Sequence, residues 1–546
     1  MKNIYKIVLL SIFNSSFLIL NSFSQTAPVI QWQNTIGGNH NDQLFSVQQC
    51  TDGGYILGGN SVSNISGDKT EDTIGGYDYW VIKLDGAGSI QWQNTIGGSL
   101  GENLFSIQQT TDGGYILGGI SNSNISGDKT ENNWDTSLYP TPDYWLVKLD
   151  TAGNIAWQNT IGGTASDMLQ SVQQTTDGGY ILGGYSSSSI SGDKTENAIA
   201  SASFCCYPDY WVVKVDSVGN IQWQNTIGGD SSDFLQSIYQ TFDGGYILGG
   251  WTVSNISGDK TENCQGHTDY WVVKLDSLGN IQWQNTIGGS YEDELYSIMQ
   301  TTDGGYILGG WSISDSSGDK TENSMGNEDY WVIKLDSIGN IQWQNTIGGN
   351  YVEELHSVKQ TIDGGYILGG WSWSPISGDK TENSWGDTDY WIIKLDSIGN
   401  ILWQNDIGGI YGDGLYSVCQ TNDGGYFLGG TSGSIVSGDK TETCFGGADY
   451  WVIKLGPDTF TSITQLPNYQ FPISISPNPV TEKLNVNVNN NELSEIILYD
   501  ITGRKLLQQK FLNSITLNTK QLAKGIYLYE VRNKNGVIKK GKVVKE

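Results

Sequence analysis

A unit of about sixty residues repeats along most of this chain and limits the folds open to it. Each copy reads as four short strands, because apolar runs alternate with turns that contain glycine. Seven copies of four strands predict a seven-bladed β-propeller. A linear solenoid is the alternative, but it would be expected to end in atypical capping repeats. The clearest marker of the repeat is the motif WQN, with spacings of 60, 65, 66, 60, 60 and 60 residues between Trp32, Trp92, Trp157, Trp223, Trp283, Trp343 and Trp403.

The residue pattern of each strand predicts its place within a blade. The segment YWVVKL is apolar on both faces, as expected for a strand packed between neighbouring blades. The segment IQWQNTI has one polar face, which suits an outermost strand. We therefore order each blade from the axis outward as SIYQT, YILGG, DYWVVKL and IQWQN. The first repeat strand, Ile30–Ile36, is of the outermost type and the last, Asp449–Leu455, is of the third type, so Ile30–Ile36 should complete the seventh blade and close the ring.

The connections between strands sort onto two faces. The turns TxDGGY and DSxGN are short, contain glycine and keep nearly the same length, and they define the turn face. The other face, called the loop face below, carries the fourth-to-first connections and the long loops that contain the motif SGDKTE. All variation in length lies there: the loops before Asp143 and Asp209 are five and six residues longer than the rest. Variable loops on a fixed scaffold are where recognition is expected.

The SGDKTE loop, the Asp of DYW and an acid at the start of each first strand place four acids against one lysine in every blade. Such density needs lysine pairing, solvation or bound Ca²⁺ with oxygen ligands. We favour a capped turn in which the lysine pairs with a neighbouring carboxylate. Calcium is the alternative and the one cofactor that the sequence suggests, and its predicted ligands are Asp259, Glu262 and Asp269 with the equivalent Asp68, Glu71 and Asp78.

Aromatic residues after the ILGG motif suggest a second kind of site. Rings near a loop rim can stack on sugars, although such rings more often pack between blades. Four blades have Tyr185, Trp251, Trp311 or Trp371 at this place, and the others have Asn60, Ile120 or Thr431. The predicted glycan-stacking residues are Trp251, Trp311 and Trp371.

Catalytic motifs are missing from the sequence. The three histidines, His40, His267 and His356, occupy non-equivalent places in the repeat, and no GxSxG, HExxH or phosphate-binding loop is present. The acidic propeller would also repel nucleic acid. The sequence thus favours a non-enzymatic binding or adhesion protein for a glycan or surface protein, with a secreted polysaccharide hydrolase or lyase as the alternative.

The first 24 residues read as a secretory signal peptide, with Lys2 and Lys6 before an apolar stretch and a small-residue SFS. A membrane anchor is the weaker interpretation, because polar residues 14–16 interrupt the run, and no other segment is long enough to span a bilayer. The six cysteines have no framework spacing, although Cys205 or Cys206 could bridge to Cys264.

Charge divides the chain. Residues 25–456 contain 51 acids, 15 lysines and no arginine, whereas residues 457–546 contain 7 acids and 12 lysines and arginines. The segments ISPNPVTEKLNV, ILYDITGRKLLQ and LAKGIYLYEVRNKNGVIKKGKVVKE resemble the type A C-terminal sorting domain of the type IX secretion system of Gram-negative bacteria. The resemblance implies an immunoglobulin-like β-sandwich that engages the secretion machinery and delivers the protein to the medium or to the outer face of the outer membrane. The propeller repeats resemble uncharacterised repeats found ahead of such domains.

These inferences predict an all-β protein in four parts. They are a signal peptide at 1–24, a seven-bladed propeller at 25–456, a linker at 457–472 and a sorting domain at 473–546. No transmembrane segment is expected in the mature chain.

Overall fold

The computed structural model describes residues 24–199, 207–461, 473–477, 479–488, 493–500, 503–533 and 536–546. All regular structure in these residues is β-strand, and they contain no helix that is long and apolar enough to cross a membrane. The chain divides into two compact units, residues 1–461 and 462–546, which are described separately. Residues 1–23 of the predicted signal peptide, most of the predicted linker, and Cys205 and Cys206 lie outside the described residues.

The described part of the first unit forms seven antiparallel four-stranded sheets, and in each the order from the axis outward is the order predicted from the repeat. In blades 1 to 7 the innermost strands are Asp42–Gln49, Glu102–Gln109, Asp167–Gln174, Asp233–Gln240, Asp293–Gln300, Glu353–Gln360 and Asp413–Gln420. The second strands are Tyr55–Ser61, Tyr115–Ser121, Tyr180–Ser186, Tyr246–Thr252, Tyr306–Ser312, Tyr366–Ser372 and Tyr426–Ser432. The third strands are Asp78–Leu84, Asp143–Leu149, Asp209–Val215, Asp269–Leu275, Asp329–Leu335, Asp389–Leu395 and Asp449–Leu455. The outermost strands are Ile90–Ile96, Ile155–Ile161, Ile221–Ile227, Ile281–Ile287, Ile341–Ile347, Ile401–Ile407 and, for blade 7, Ile30–Ile36.

The ring closes as the sequence predicts. Ile30–Ile36 pairs antiparallel with Asp449–Leu455, so the seventh sheet joins the two ends of the repeat array. The second strand of blade 7 packs on the innermost strand of blade 1, as neighbouring blades do elsewhere. Two further short strands, Ser24–Thr26 and Thr459–Thr461, pair with each other. The architecture is that of a seven-bladed β-propeller.

Buried side chains between the sheets explain the pattern of the third and second strands. All seven residues of every third strand are buried, including one tryptophan per blade. The paired glycines of the second strand allow this close packing. A Cβ on Gly58 would fall 2.9 Å from Ile107 of blade 2, and one on Gly59 would fall 2.0 Å from the carbonyl of Gln43. The repeated GG therefore reflects steric need within and between blades.

The described part of the second unit forms two antiparallel sheets that share one core. Buried residues on the two facing sheets include Leu484 and Val486 on one and Leu498 and Val531 on the other. This is the small β-sandwich that the sequence predicts. One sheet consists of Ile473–Ser476, Lys483–Val488 and Ser514–Asn518, and the other of Leu493–Tyr499, Lys505–Leu512, Gly525–Asn533 and Gly536–Lys545.

Candidate functional site

The lysine of SGDKTE is buried and holds its loop against the outermost strand of its own blade. Lys69 is 2% exposed, donates a hydrogen bond to Thr95 Oγ1 at 2.5 Å, and lies 5.0 Å from the centre of the Trp80 ring. Burial lowers its pKa to about 8. The preceding glycine, Gly67, has a φ of 55°, which favours glycine in this tight turn. The motif is therefore a structural latch.

The partner of this lysine differs from the sequence expectation in six blades. There the ammonium donates to a threonine hydroxyl of the outermost strand, because that strand reads NTI. Blade 6 reads NDI instead, so Lys380 forms a buried ion pair with Asp406. Among the described residues, blade 6 alone pairs the SGDKTE lysine with a carboxylate, the partner that the sequence suggests for every blade.

The carboxylates proposed as calcium ligands hold separate backbone positions. Among the described residues, no group of three or more His, Cys, Asp or Glu side chains is arranged so that it could hold a metal ion. The calcium site stays a prediction that needs its own test. In blade 4, Asp259, Glu262 and Asp269 accept hydrogen bonds from the backbone N–H groups of Gly228, Thr286 and Gln265, and in blade 1 Asp68, Glu71 and Asp78 accept from those of Gly37, Thr95 and Ile74.

Two rows of acids, one of which includes Asp78 and Asp269, are wholly buried near the loop face. The first residue of each innermost strand and the Asp of each DYW motif are 0% exposed. Burial, together with the neighbouring buried acid of the next blade, raises the pKa of Asp143 to about 8 and that of Asp209 to about 7. Some of these buried carboxyl groups therefore carry a proton at neutral pH.

Besides the variable loops of the loop face, a second set of departures from the repeat lies around the axial channel. In the innermost strands the third residue is always Leu, the fifth always Ser and the eighth always Gln, whereas the second, fourth and seventh residues differ between blades. The residue before the end of the second strand differs as well. Comparing the seven repeats at these places is the signal that locates the site, whereas the predicted stacking residues come only from the last of them.

Blades 5 and 6 place glutamates and aromatic residues together at the loop-face mouth of this channel. Tyr296 donates its hydroxyl hydrogen bond to Glu294 Oε2 at 2.9 Å, and His356 Nε2 lies 3.4 Å from Glu354 Oε2. Burial, together with the charges of nearby glutamates, Glu354 foremost, raises the pKa of Glu294 to about 7. Burial and the charge of Glu354 likewise raise the pKa of Glu328.

An aromatic belt lines the channel wall at the fourth place of five innermost strands. The ring centres of neighbouring members are 5.0 to 5.6 Å apart. Along the strands the belt lies between the acidic mouth and the half of the channel nearer the turn face. In order around the ring its members are Tyr296, His356, Tyr416, Phe45 and Phe105.

The three predicted stacking tryptophans all lie at the edge of this mouth, half-buried at the end of their second strands. Trp251 stacks on Phe234 of its own blade, with ring centres 3.9 Å apart. Trp311 is paired across the strands with Glu294, and Trp371 with Glu354. The structure thus groups two of them with the glutamates of blades 5 and 6, and their predicted contact with a glycan stays a prediction.

Comparisons with solved structures return remote likenesses. They include Sqt1 from Chaetomium thermophilum (10% identity, TM-score 0.38, 78% of this chain and 99% of that one). They also include a fungal alcohol oxidase of the AA5 family in complex with copper (12% identity, TM-score 0.38, 95% and 100%). At these scores the likenesses carry no conclusion about this protein.

Among curated proteins, a segment of 195 residues is 25% identical to the regulatory protein FlaEY of Caulobacter vibrioides. The match covers 35% of this chain and 20% of that protein, so the chain spans about a fifth of the relative's length. A match this partial assigns no activity.

The C-terminal unit gives the firm assignment. Residues 474–546 match the family model of the secretion system C-terminal sorting domain, on the segments that form the two-sheet sandwich. Residues 474–546 are therefore a type IX sorting domain, and the protein is a secreted one exported through that system.

Proposed function

We propose that this exported protein binds carbohydrate chains at the loop-face mouth of its channel, on blades 5 and 6. The observation that carries the proposal is the break in symmetry described above. Seven nearly identical blades keep the residues that form the ring, and they differ in the loops of the loop face and where side chains meet at the axis. A repeat array that served only as a scaffold would have no need to place four glutamates, Glu292, Glu294, Glu328 and Glu354, in two adjacent blades.

Exposed aromatic rings beside the mouth support a carbohydrate ligand. Tyr291, Tyr351 and Trp373 are 51%, 49% and 52% exposed, and the rings of Tyr351 and Trp373 lie 6.0 Å apart. Flat aromatic faces can stack on the C–H faces of sugars, and a half-exposed ring loses little freedom on binding. A groove of about 470 Å³ between blades 5 and 6 includes Tyr291 and Glu328 in its lining. The Glu328 carboxylate can accept hydrogen bonds from sugar hydroxyls.

A glycan array and polysaccharide pull-down with the full chain test this proposal. In the double variant Tyr351→Ala/Trp373→Ala the affinity for the polysaccharide should fall about tenfold or more. A tenfold fall corresponds to about 1.4 kcal/mol of binding free energy, as expected when stacking contacts are removed. Phe242→Ala is the matched control, because Phe242 is a 70% exposed ring in a turn on the other face. Equal binding by the two variants would contradict the site, and no binding to any polysaccharide would contradict the ligand class.

The pKa of Glu294 favours an enzyme as the second candidate function. With a pKa raised to about 7, Glu294 retains its proton at neutral pH in a large fraction of molecules. Hydrolysis of a glycosidic bond needs a protonated carboxyl group opposite an ionised one, and Glu354 of the adjacent blade is the available second group. Steady release of reducing ends from a bound polysaccharide, abolished in Glu294→Gln, would favour the enzyme over the binding protein.

A further inference from the structure

Fourteen of the fifteen lysines between residues 25 and 456 occupy two repeated places in the blades, and this region contains no arginine. Seven are the latch lysines of SGDKTE. The other seven lie in the third strands, where each pairs with the Asp of the TxDGGY turn of its own blade, as Lys274 does with Asp243 at 3.0 Å. All fourteen are at most 4% exposed. The fifteenth, Lys359, is the exposed exception.

Lys359 is the seventh residue of the innermost strand of blade 6, in the half of the channel nearer the turn face. A cavity of about 310 Å³ lies in this half. Serine residues at the fifth place of several innermost strands form part of its wall. The seventh residues that line it are Gln48, Gln108, Gln173, Tyr239, Lys359 and Cys419.

Lys359 has no counter-charge in this cavity. The described residues that line the cavity include no Asp or Glu, and among the described residues the ammonium has no hydrogen-bond or ion-pair partner. The neighbouring Cys419 is neutral at pH 7, because burial raises the pKa of its thiol to about 11. Protein around the channel lowers the pKa of Lys359 by desolvation, although solvent still reaches its side chain. The ammonium is therefore accessible to an anion that enters the cavity.

Hydrogen-bond donors complete the wall across the ring from Lys359. The Oε1 atoms of Gln48, Gln108 and Gln173 accept backbone N–H groups of the next blade at 2.6 to 2.7 Å. These bonds fix the amide orientation and leave each Nε2 group as a donor on the wall. The serine hydroxyls accept backbone N–H groups of the next blade, as Ser46 does from Ile107, so they hold the innermost strands together.

We infer that this cavity binds a small carboxylate monoanion, with the Lys359 ammonium as its counter-charge and the glutamine Nε2 groups as its hydrogen-bond donors. One ammonium neutralises one negative charge, and a cavity of this size suits a small ligand. The acidic propeller repels anions at long range, so recognition rests on these short contacts. The site lies beyond the aromatic belt from the loop-face mouth and is independent of the function proposed above.

Calorimetric titration of the full chain with acetate tests the inference. We expect saturable binding, weakened at least tenfold in Lys359→Gln and retained in Lys359→Arg. Lys510→Gln is the matched control, since Lys510 is an exposed lysine of the sorting domain, and it should leave binding unchanged. Inorganic phosphate should bind more weakly than acetate, because its second charge has no partner. Tighter binding of phosphate, or no saturable acetate binding up to about 50 mM, overturns the inference.

Reductive methylation with formaldehyde gives a second measurement that needs no variant. At neutral pH, acetate should slow the labelling of Lys359 relative to that of Lys510, as followed by mass spectrometry of peptides. If acetate leaves the ratio of the two labelling rates unchanged, the site is overturned even if acetate binds elsewhere on the protein.

Discussion

The hydroxyl of Tyr450 donates a hydrogen bond to the backbone carbonyl of Trp80 at 3.0 Å, and this bond joins the third strand of blade 7 to that of blade 1. The same bond joins every other pair of neighbouring blades, for example Tyr270 to the carbonyl of Trp331 at 3.0 Å. Both tyrosines are fully buried. The junction that closes the ring is therefore built like the six interfaces within it.

Removing this hydroxyl should destabilise the ring at its closure. We expect Tyr450→Phe to lower the free energy of unfolding by about 1–3 kcal/mol, because the buried carbonyl of Trp80 loses its donor. Tyr270→Phe, the control within the array, should cost a similar amount in the same urea titration. A loss in Tyr270→Phe with none in Tyr450→Phe would mean that the closing junction is open in solution.

Blade 6 offers a test of its buried ion pair. Lys380→Met leaves Asp406 buried without its partner and should cost about 3–5 kcal/mol. Asp406→Thr should be close to neutral, since it restores the lysine–threonine latch of the other six blades. The double variant should recover part of the loss of Lys380→Met. Equal losses in the single lysine variant and the double variant would show that the buried carboxylate is not the cause.

Stability should fall as the pH rises from about 5 to about 8. Asp143, Asp209 and Asp449 have pKa values raised to about 7–8 in the folded protein, whereas in an unfolded chain they titrate near 3.8. Between these values the folded state binds more protons than the unfolded state, so raising the pH favours unfolding. Above pH 8 the trend should reverse, since burial lowers the pKa of Lys69 from 10.5 to about 8.

Melting temperatures measured from pH 5 to pH 10 at constant ionic strength test this prediction. The curve should have a minimum near pH 8. Asp143→Asn, which removes one of these acids but keeps the shape of its side chain, should flatten the acidic limb. A steady rise in melting temperature from pH 5 to pH 8 would contradict the expected protonation of the buried acids.

Calcium should leave the melting temperature of the full chain unchanged. The reason is that Asp259, Glu262 and Asp269 each already accept a backbone N–H group at a different position. Thermal melts in chelator and in millimolar Ca²⁺ make the comparison. A rise with Ca²⁺ that Asp259→Ala reduces only in part, because six equivalent loops remain, would restore the calcium site.

Export should depend on the sorting domain. Deleting residues 474–546 should stop delivery across the outer membrane and leave the propeller in the periplasm. Immunoblots of periplasm, surface and medium separate these locations, and the full chain expressed from the same promoter is the control. Normal amounts of the truncated chain at the surface or in the medium would contradict this prediction.

The repeat was sufficient to predict the architecture. Strand order follows from the two apolar faces of DYWVVKL and the single polar face of IQWQN, and ring closure follows from the types of Ile30–Ile36 and Asp449–Leu455. These patterns predict strand order because the burial of a strand determines which of its residues are apolar, and the same pattern recurs in seven copies. The sorting sandwich is likewise predicted, from its own motifs.

Contacts between distant strands could not be predicted in the same way. Nothing local to SGDKTE indicates that Lys69 is buried over Trp80 and bonded to Thr95, twenty-six residues further on. The acidic mouth was missed for a related reason. Glu294 and Glu354 look like surface residues in their own strands, and only the closed ring brings neighbouring innermost strands together around an axis. Cys264 is a smaller example of a contact that its local sequence does not reveal. Its thiol is free, and its Sγ contacts a backbone carbonyl as the Oγ of Ser324 does in the next blade.

Because Ile30–Ile36 pairs with Asp449–Leu455, the seventh sheet can form only after the last repeat has been synthesised. A ribosome reaches Asp449 more than four hundred residues after Ile36, which at about 5–20 residues per second takes on the order of a minute. During that interval Ile30–Ile36, a strand with one apolar face, has no partner for its backbone groups, and each new sheet extends an arc whose last edge is open. The chain must be kept from associating with its neighbours until the final repeat is made. Aggregation during synthesis should therefore be the main hazard in producing this protein.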